Sequence, residues 1–421
     1  MRKYLSLFVA LILLPFSLNA AGEFKAGAAV RVVTPNPLLP VSGGVGIPQP
    51  VTMKKGDLFV RAMVVDDGST VFAIASIDNI GWPAVLGDRV RKLVNGIPAE
   101  NILLSATHTH SAPDAYGFAD EKGNSGIDLK YIDFCVHKMA EAIQEAFDSR
   151  QPATLKIAVA EAKGKIAFNY YAEKLYDPRC GVIQAVGADG KTIATLVNYA
   201  IHPEVLGNER GILSPDLCGP LYDRIEKKAG GVAIFVNSAQ GGMVTADARD
   251  GKGGENNTWE ECIRIGELLA DEALRIVAPA KLLENPEVFC TSRIVKFPLE
   301  SPLLRMVLEH AVLDYPIGDD GMVSTRVNLI NLGPAQILTI PGEALPNIGY
   351  YLKRKMKTEA PFLFGLTNDA FGYILTRVDF NSFKRYDYIS RTSLGENTGE
   401  ILIDNALQMI AENPAAVGFA R

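Results

Sequence analysis

Histidine is scarce in this chain, with five among 421 residues. Any chemistry that needs imidazole must therefore be built from very few positions. Cysteine is as sparse: Cys135, Cys180, Cys218, Cys262 and Cys290 are scattered. No two form a Cys-x-x-Cys pair, which removes the short-spaced metal and redox motifs built on it. Disulfides among them would leave one thiol over. Cys135 and Cys262 fall in helical patterns, where cysteine behaves as a small buried apolar residue. Positive charge does not dominate: 42 Lys and Arg face 48 Asp and Glu, for a net charge of −6. No basic stripe is formed, so nucleic acid is excluded as the expected partner. Long apolar runs are missing beyond the N-terminus, so no integral membrane segment is expected in the mature chain.

The N-terminus itself reads as an export signal. Arg2 and Lys3 give a positive start, Tyr4 to Pro15 is apolar, and Leu18-Asn19-Ala20-Ala21 offers small residues for cleavage. Residues 1–21 are thus expected to be a signal peptide, and the mature protein secreted or periplasmic. No cysteine follows the cleavage region, so a lipid anchor is not indicated.

Residues 22–421 read as a single large domain of α/β class, with mixed sheets and flanking helices. Composition is ordinary for a globular protein. Three hairpins are predicted: Leu58 to Val65 with Thr70 to Ile77, Val182 to Val186 with Thr192 to Tyr199, and Val323 to Ile330 with Ala335 to Ile340. Each is joined by a turn containing glycine. Leu129 to Ser149 places Ile132, Val136, Met139, Ile143 and Phe147 on one helical face. Further helices are expected over Leu221 to Lys228, Trp259 to Val277, Leu304 to Leu313, Leu345 to Met356 and Glu400 to Ile410. His137 and His310 lie in such helices and read as packed or surface residues. The run Gly43-Gly-Val-Gly46 sits in a long Gly- and Pro-rich loop. It neither follows a clear strand nor opens a helix, so it is not a dinucleotide fingerprint.

The chemistry centres on Ser105-Ala-Thr-His-Thr-His-Ser-Ala-Pro-Asp114. A short apolar strand, Asn101 to Thr107, runs into His108 and His110. Residues i and i+2 of an extended chain point the same way, so both imidazoles are expected to face one side at the strand's end. Four other apolar runs end alike. They lead into His202-Pro-Glu204, Asn237-Ser238, Pro341-Gly-Glu343 and Thr367-Asn-Asp369. In α/β folds, sites gather beyond the carboxyl ends of strands. Three His, a Glu and a Ser delivered in this way suit a Zn2+ hydrolase with one coordination position open to water. Bound zinc lowers the pKa of that water toward ~7 and polarises a carbonyl.

These motifs resemble the catalytic domain of the neutral/alkaline ceramidases. Ala26 to Pro35 is similar to the family's opening strand, and Ala106-Thr-His-Thr-His-Ser-Ala-Pro113 to its His-Thr-His-Ser signature. His202 matches a second histidine, Phe235-Val-Asn-Ser238 the serine-bearing strand end, and Pro341-Gly-Glu343 a Pro-Gly-Glu motif. Tyr373 in Phe371-Gly-Tyr-Ile-Leu-Thr376 and Tyr388 in Tyr388-Ile-Ser-Arg-Thr-Ser393 resemble the family's two site tyrosines, with Tyr386 competing for the second role. The resemblance implies that His108, His202, Glu343 and Tyr373 hold one zinc. It implies His110 as acid/base, Tyr388 as oxyanion partner, and Ser238 as either a nucleophile or a supporting donor. Its implied substrate is an N-acyl amide of ceramide type. Departures are equally specific. Ala239-Gln-Gly-Gly-Met-Val-Thr-Ala246 replaces the run that follows the family's serine. Asn169-Tyr170 stands where the ceramidases have Asn-Arg, and their C-terminal β-sandwich has no counterpart here. The same metal site could therefore serve another ester or amide of an envelope or glycan-derived small molecule. A binding protein that has lost turnover would share these residues.

Overall fold

A computed structural model describes residues 23–44, 46–119 and 123–419. The predicted signal peptide lies outside the described residues. Chain order in the main sheets is β1 (Lys25–Val32), β2 (Phe59–Asp66), β3 (Val71–Ile77), β4 (Ile102–Ala106), β5 (Gln151–Glu161), β6 (Arg179–Gly187), β7 (Thr192–Tyr199), β8 (Val232–Asn237), β9 (Val288–Pro298), β10 (Met322–Leu332), β11 (Ala335–Thr339) and β12 (Ala360–Phe364). The helices of eight residues or more are α1 (Ala84–Arg91), α2 (Leu129–Asp148), α3 (Cys218–Ala229), α4 (Trp259–Val277), α5 (Pro302–Glu309), α6 (Pro346–Lys355) and α7 (Thr398–Glu412).

Eight strands form one sheet in the order β8-β7-β6-β5-β1-β2-β3-β4, and four form a second in the order β9-β10-β11-β12. Both sheets are mixed. The pairs β3/β4, β7/β8 and β11/β12 are parallel, and the hairpins are antiparallel.

Side-chain alternation explains how these layers stack. Along β2, Val60, Ala62 and Val64 face α2, where they meet Ile132, Val136, Met139 and Ile143. Met63 and Val65 point the other way, into a core shared with Ile337, Phe362 and Phe364 of the second sheet. A strand buried on both faces must be apolar at every position, and β2 is nearly so. α3 and α4 cover the remaining outer part of the large sheet. α6 and α7 cover the outer face of the small one. The result is four layers: helices, sheet, sheet, helices.

Local signals set the helix bounds. Asp128 accepts hydrogen bonds from Lys130 N and Tyr131 N and so caps α2. Thr258 does the same for Glu261 N at α4. The three predicted hairpins are present. α1 and β9 are additions that sequence patterning missed. α1 is only eight residues long and begins after Pro83. β9 carries polar residues on a partly exposed edge and so lacks an apolar run. The five cysteines are all free thiols, with Cys135 and Cys262 buried in α2 and α4. Among the described residues, no helix is long and apolar enough to cross a membrane.

Candidate metal centre and active site

The ends of β4, β7, β8 and β12 are tied together by one buried residue, Asn237, through its side-chain amide and its backbone carbonyl. Asn237 Nδ2 donates to Thr107 O at 3.3 Å and to Ile201 O at 2.7 Å. Gly365 N donates to Asn237 O at 2.9 Å. Asn237 is fully buried, so its loss would leave carbonyls without donors. The segments carrying His108 and His202 leave from this knot.

His108 follows β4 with a φ of 75°. The expectation of an extended strand carrying two histidines on one face is therefore corrected. β4 ends at Ala106, and the chain turns through a left-handed residue that L-amino acids other than glycine adopt reluctantly. The turn, not the pleat, brings the imidazoles together. Their ring centroids are 4.8 Å apart and perpendicular, with Nε2 to Nε2 at 3.3 Å.

Glu343 arrives from beyond β11, on a two-residue strand paired with Tyr373. Its Oε2 lies 3.1 Å from His202 Nε2 and 3.5 Å from His108 Nε2. The donor nitrogens of His108, His110 and His202 lie within 4.8 Å of one another. His108, His202 and Glu343 are all buried.

Hydrogen bonding fixes which ring nitrogen faces inward. His108 Nδ1 is 2.6 Å from Ile80 O, and His202 Nδ1 is 2.9 Å from Val244 O. A carbonyl only accepts, so each Nδ1 carries a proton, and in the neutral ring each Nε2 presents a lone pair to the centre. With both rings neutral, two lone pairs face the Glu343 carboxylate, so the centre calls for a cation, either a proton on an Nε2 or a metal. Such a set fits a divalent cation, and outward Nδ1–H bonds to carbonyls are the usual support for metal-ligating histidines.

Protonation equilibria show the same tension. Burial works to lower the His202 pKa, yet the Glu343 hydrogen bond and the Glu204 charge carry it up to about 9. Burial would raise Glu343, but the His108 and His202 contacts hold it well below the ordinary carboxylate range. His110 is pushed down to about 3, chiefly by burial and against the pull of Glu204.

The other expected residues take distinct places. Tyr373 is buried and its hydroxyl lies 3.3 Å from Met243 Sδ. Tyr388 packs edge-on against Tyr373, with centroids 5.8 Å apart, and lines the cavity above the centre. Tyr386 packs instead at a tilt against Tyr171 and is not among the cavity-lining residues. Ser238 is buried and also absent from that lining. His137 and His310 bond to backbone carbonyls on exposed helix surfaces, away from the centre.

Glu204 went unrecognised in the sequence as a site residue. Its Oε2 is 3.7 Å from His110 Nδ1. Burial opposes its ionisation, and the charges of His110 and His202 outweigh that and hold its pKa low. The available signal was its position two residues after His202. Tyr170, at the position of the expected arginine, lies under the Arg385 guanidinium at 6.0 Å.

No family model matches the chain. In sequence it is similar to the neutral ceramidase of Pseudomonas aeruginosa, 24% identical over 216 residues. That match covers 47% of this chain and 32% of the relative, so it spans only about a third of that protein's length. In structure it is similar to the crystal structure of neutral ceramidase from Pseudomonas aeruginosa. The TM-score is 0.75 at 16% identity, covering 95% of this chain and 76% of the other. A ceramidase structure described as complexed with C2 gives a TM-score of 0.72 at 16% identity over 94% of this chain and 77% of that one.

Proposed function

The chain has the neutral ceramidase fold, and we propose that it is an exported zinc-dependent hydrolase that cleaves an N-acyl amide bond. One observation carries the reading: Nε2 of His108, Nε2 of His202 and the Glu343 carboxylate converge on one buried point, where neutral rings leave three acceptors facing one another. Nitrogen and oxygen donors in this number suit zinc, with Tyr373 closing the set. A divalent ion held there would polarise the substrate carbonyl and lower the pKa of water.

This chain's own groups supply the rest. His110, kept neutral by burial, accepts the proton of the attacking water at Nε2. It returns that proton to the amide nitrogen as the C–N bond breaks. Glu204, beside Nδ1, stabilises the transient imidazolium. The Tyr388 hydroxyl donates to the developing oxyanion. Water oxygen ends on the acyl carbon, and the products are a carboxylate and an amine. Ser238 serves as a buried support of the strand end rather than as the nucleophile, because the cavity wall is formed without it.

A second arrangement makes His110 Nε2 a third imidazole ligand, favoured by its 3.3 Å separation from His108 Nε2. His110→Ala separates the two. Retained metal with lost turnover supports the acid/base role, and lost metal supports ligation. The function itself is tested by fatty acid release from an N-acyl sphingosine or a related amide. Turnover should vanish on chelation and in His108→Ala, and return with zinc only in the wild type. Turnover unaffected by chelation would overturn the proposal.

A further inference from the structure

The histidine cluster lies between two unlike surfaces. On one side is a cavity walled by Ile80, Phe118, Leu304, Leu308 and Val323, which reaches His108 and Glu343. On the other is a groove in which Glu204, Asn208, Glu209, Arg210 and Glu255 stand beside Tyr170 and Met243. His110 and Gly43 line both. The His110 ring spans the boundary: Nε2 faces His108, and Nδ1 faces Glu204.

The Gly43-Gly44 pair forms the partition. A Cβ on Gly43 would meet the Asn208 amide at 2.7 Å, on the groove side. A Cβ on Gly44 would stand 3.9 Å from Tyr388 Oη and from Ile80 Cδ1, on the cavity side. Glycine lets the backbone run between these two walls without filling either. This gives the glycine-rich loop a use that nucleotide binding does not.

We infer that the substrate is divided at His110, with an apolar acyl chain in the cavity and a hydroxylated, non-anionic amine half, such as an amino sugar, in the groove. The inference rests on the amide hydrolase reading and narrows its substrate class. Val205, Leu206, Ala246 and Ala248 of the groove are almost wholly buried, which leaves an apolar second chain only Tyr170 and Met243 to lie on. Burying one against Glu204, Glu209 and Glu255 would strip water from carboxylates without replacing their hydrogen bonds. An anionic amine half would face three carboxylates against the single Arg210, whose guanidinium is already bonded to Leu206 O at 3.2 Å. Hydroxyl groups satisfy carboxylates and amides alike. The balance is ordinary hydrolysis: water adds to the acyl carbon, and the amine leaves with the transferred proton.

Three amides with one decanoyl chain test this: those of glucosamine, dodecylamine and glutamate. Each is titrated into the purified zinc-loaded protein at low temperature, and liberated amine is measured in the same samples. The glucosamine amide should bind about tenfold or more tighter than either of the others. Replacing both Glu209 and Glu255 by Lys should shift the glutamate-to-glucosamine affinity ratio about tenfold toward glutamate, and the shift should shrink with added salt. Equal or tighter binding of the dodecylamine amide overturns the inference, as does a ratio indifferent to the charge reversal. Binding in the expected order with no amine released refutes the hydrolase reading and leaves the two-sided site standing. Amine released fastest from the dodecylamine amide does the reverse.

Discussion

Gly241→Ala would probe the site from outside it. Gly241 sits in the turn after β8, and its N–H donates to Ala344 O at 2.9 Å. A Cβ at this position would stand 2.2 Å from Glu343 O and 2.7 Å from Glu343 C. The obstacle is backbone, so no side chain can rotate away. Restoring a tolerable contact requires about 1 Å of movement, shared between the turn and the two-residue strand carrying Glu343. Displacements of that size commonly cost about 100-fold in rate when a catalytic group is shifted. Lost support around a metal ligand costs about 10–100-fold in affinity. Strain of this kind also lowers stability by roughly 1–3 kcal/mol. The assay is zinc affinity by competition with a chromophoric chelator, with turnover and thermal unfolding on the same preparation. Gly190→Ala is the control. It has a positive φ, 78°, which Gly241 does not, but nothing lies within 4 Å of its Cβ and it belongs to the β6–β7 turn. It should lose about 1 kcal/mol of stability and keep zinc affinity. Should Gly241→Ala bind zinc as the wild type does while losing comparable stability, the idea that this turn holds Glu343 in register would be refuted.

Two further outcomes are expected. Tyr388→Phe should keep metal stoichiometry and lose about 100-fold in kcat, the usual effect of removing one oxyanion donor; an unchanged kcat would take Tyr388 out of the chemistry. Asp216 is buried, and burial lifts its carboxyl to about 6 even though Leu206 N and Leu217 N donate to it. A raised acid pKa means the folded state holds the proton longer than the unfolded chain, so this group's contribution to stability falls as pH rises from ~4 to ~6. Asp216→Asn should therefore gain on the wild type by about 2–3 kcal/mol between pH 4 and pH 7, read from urea unfolding. A gap that does not change with pH would contradict the assignment.

Much of the fold was legible because β2, β3, β6, β7, β8 and β11 are apolar at nearly every position and the turns between hairpin strands carry glycine. α2 and α4 announced themselves by a one-sided apolar stripe. β9 did not, because an edge strand with one partly exposed face needs no continuous apolar run. The convergence of His108, His202 and Glu343 could be anticipated from strands that end in polar residues, since strand ends collect on one side of such sheets. The means of convergence could not. The left-handed turn at His108 depends on backbone bonds from Thr107 N to Ile77 O and from His108 N to Asn79 O, partners distant in sequence. Glu204 was overlooked because its place two residues after His202 is a weak mark for one carboxylate among 48 acidic residues. The two-sided site was hidden for a similar reason. Its apolar wall comes from α5 and the segment around Tyr315, and its polar wall from the loop after His202, more than 90 residues earlier.

Anomalous scattering at the zinc edge, on crystals of protein purified with zinc and without chelator, tests the metal centre most directly. The account predicts one strong peak within about 2.0–2.2 Å of His108 Nε2, His202 Nε2 and a Glu343 carboxylate oxygen. A peak elsewhere, or none at this centre in protein equilibrated with zinc, would contradict it.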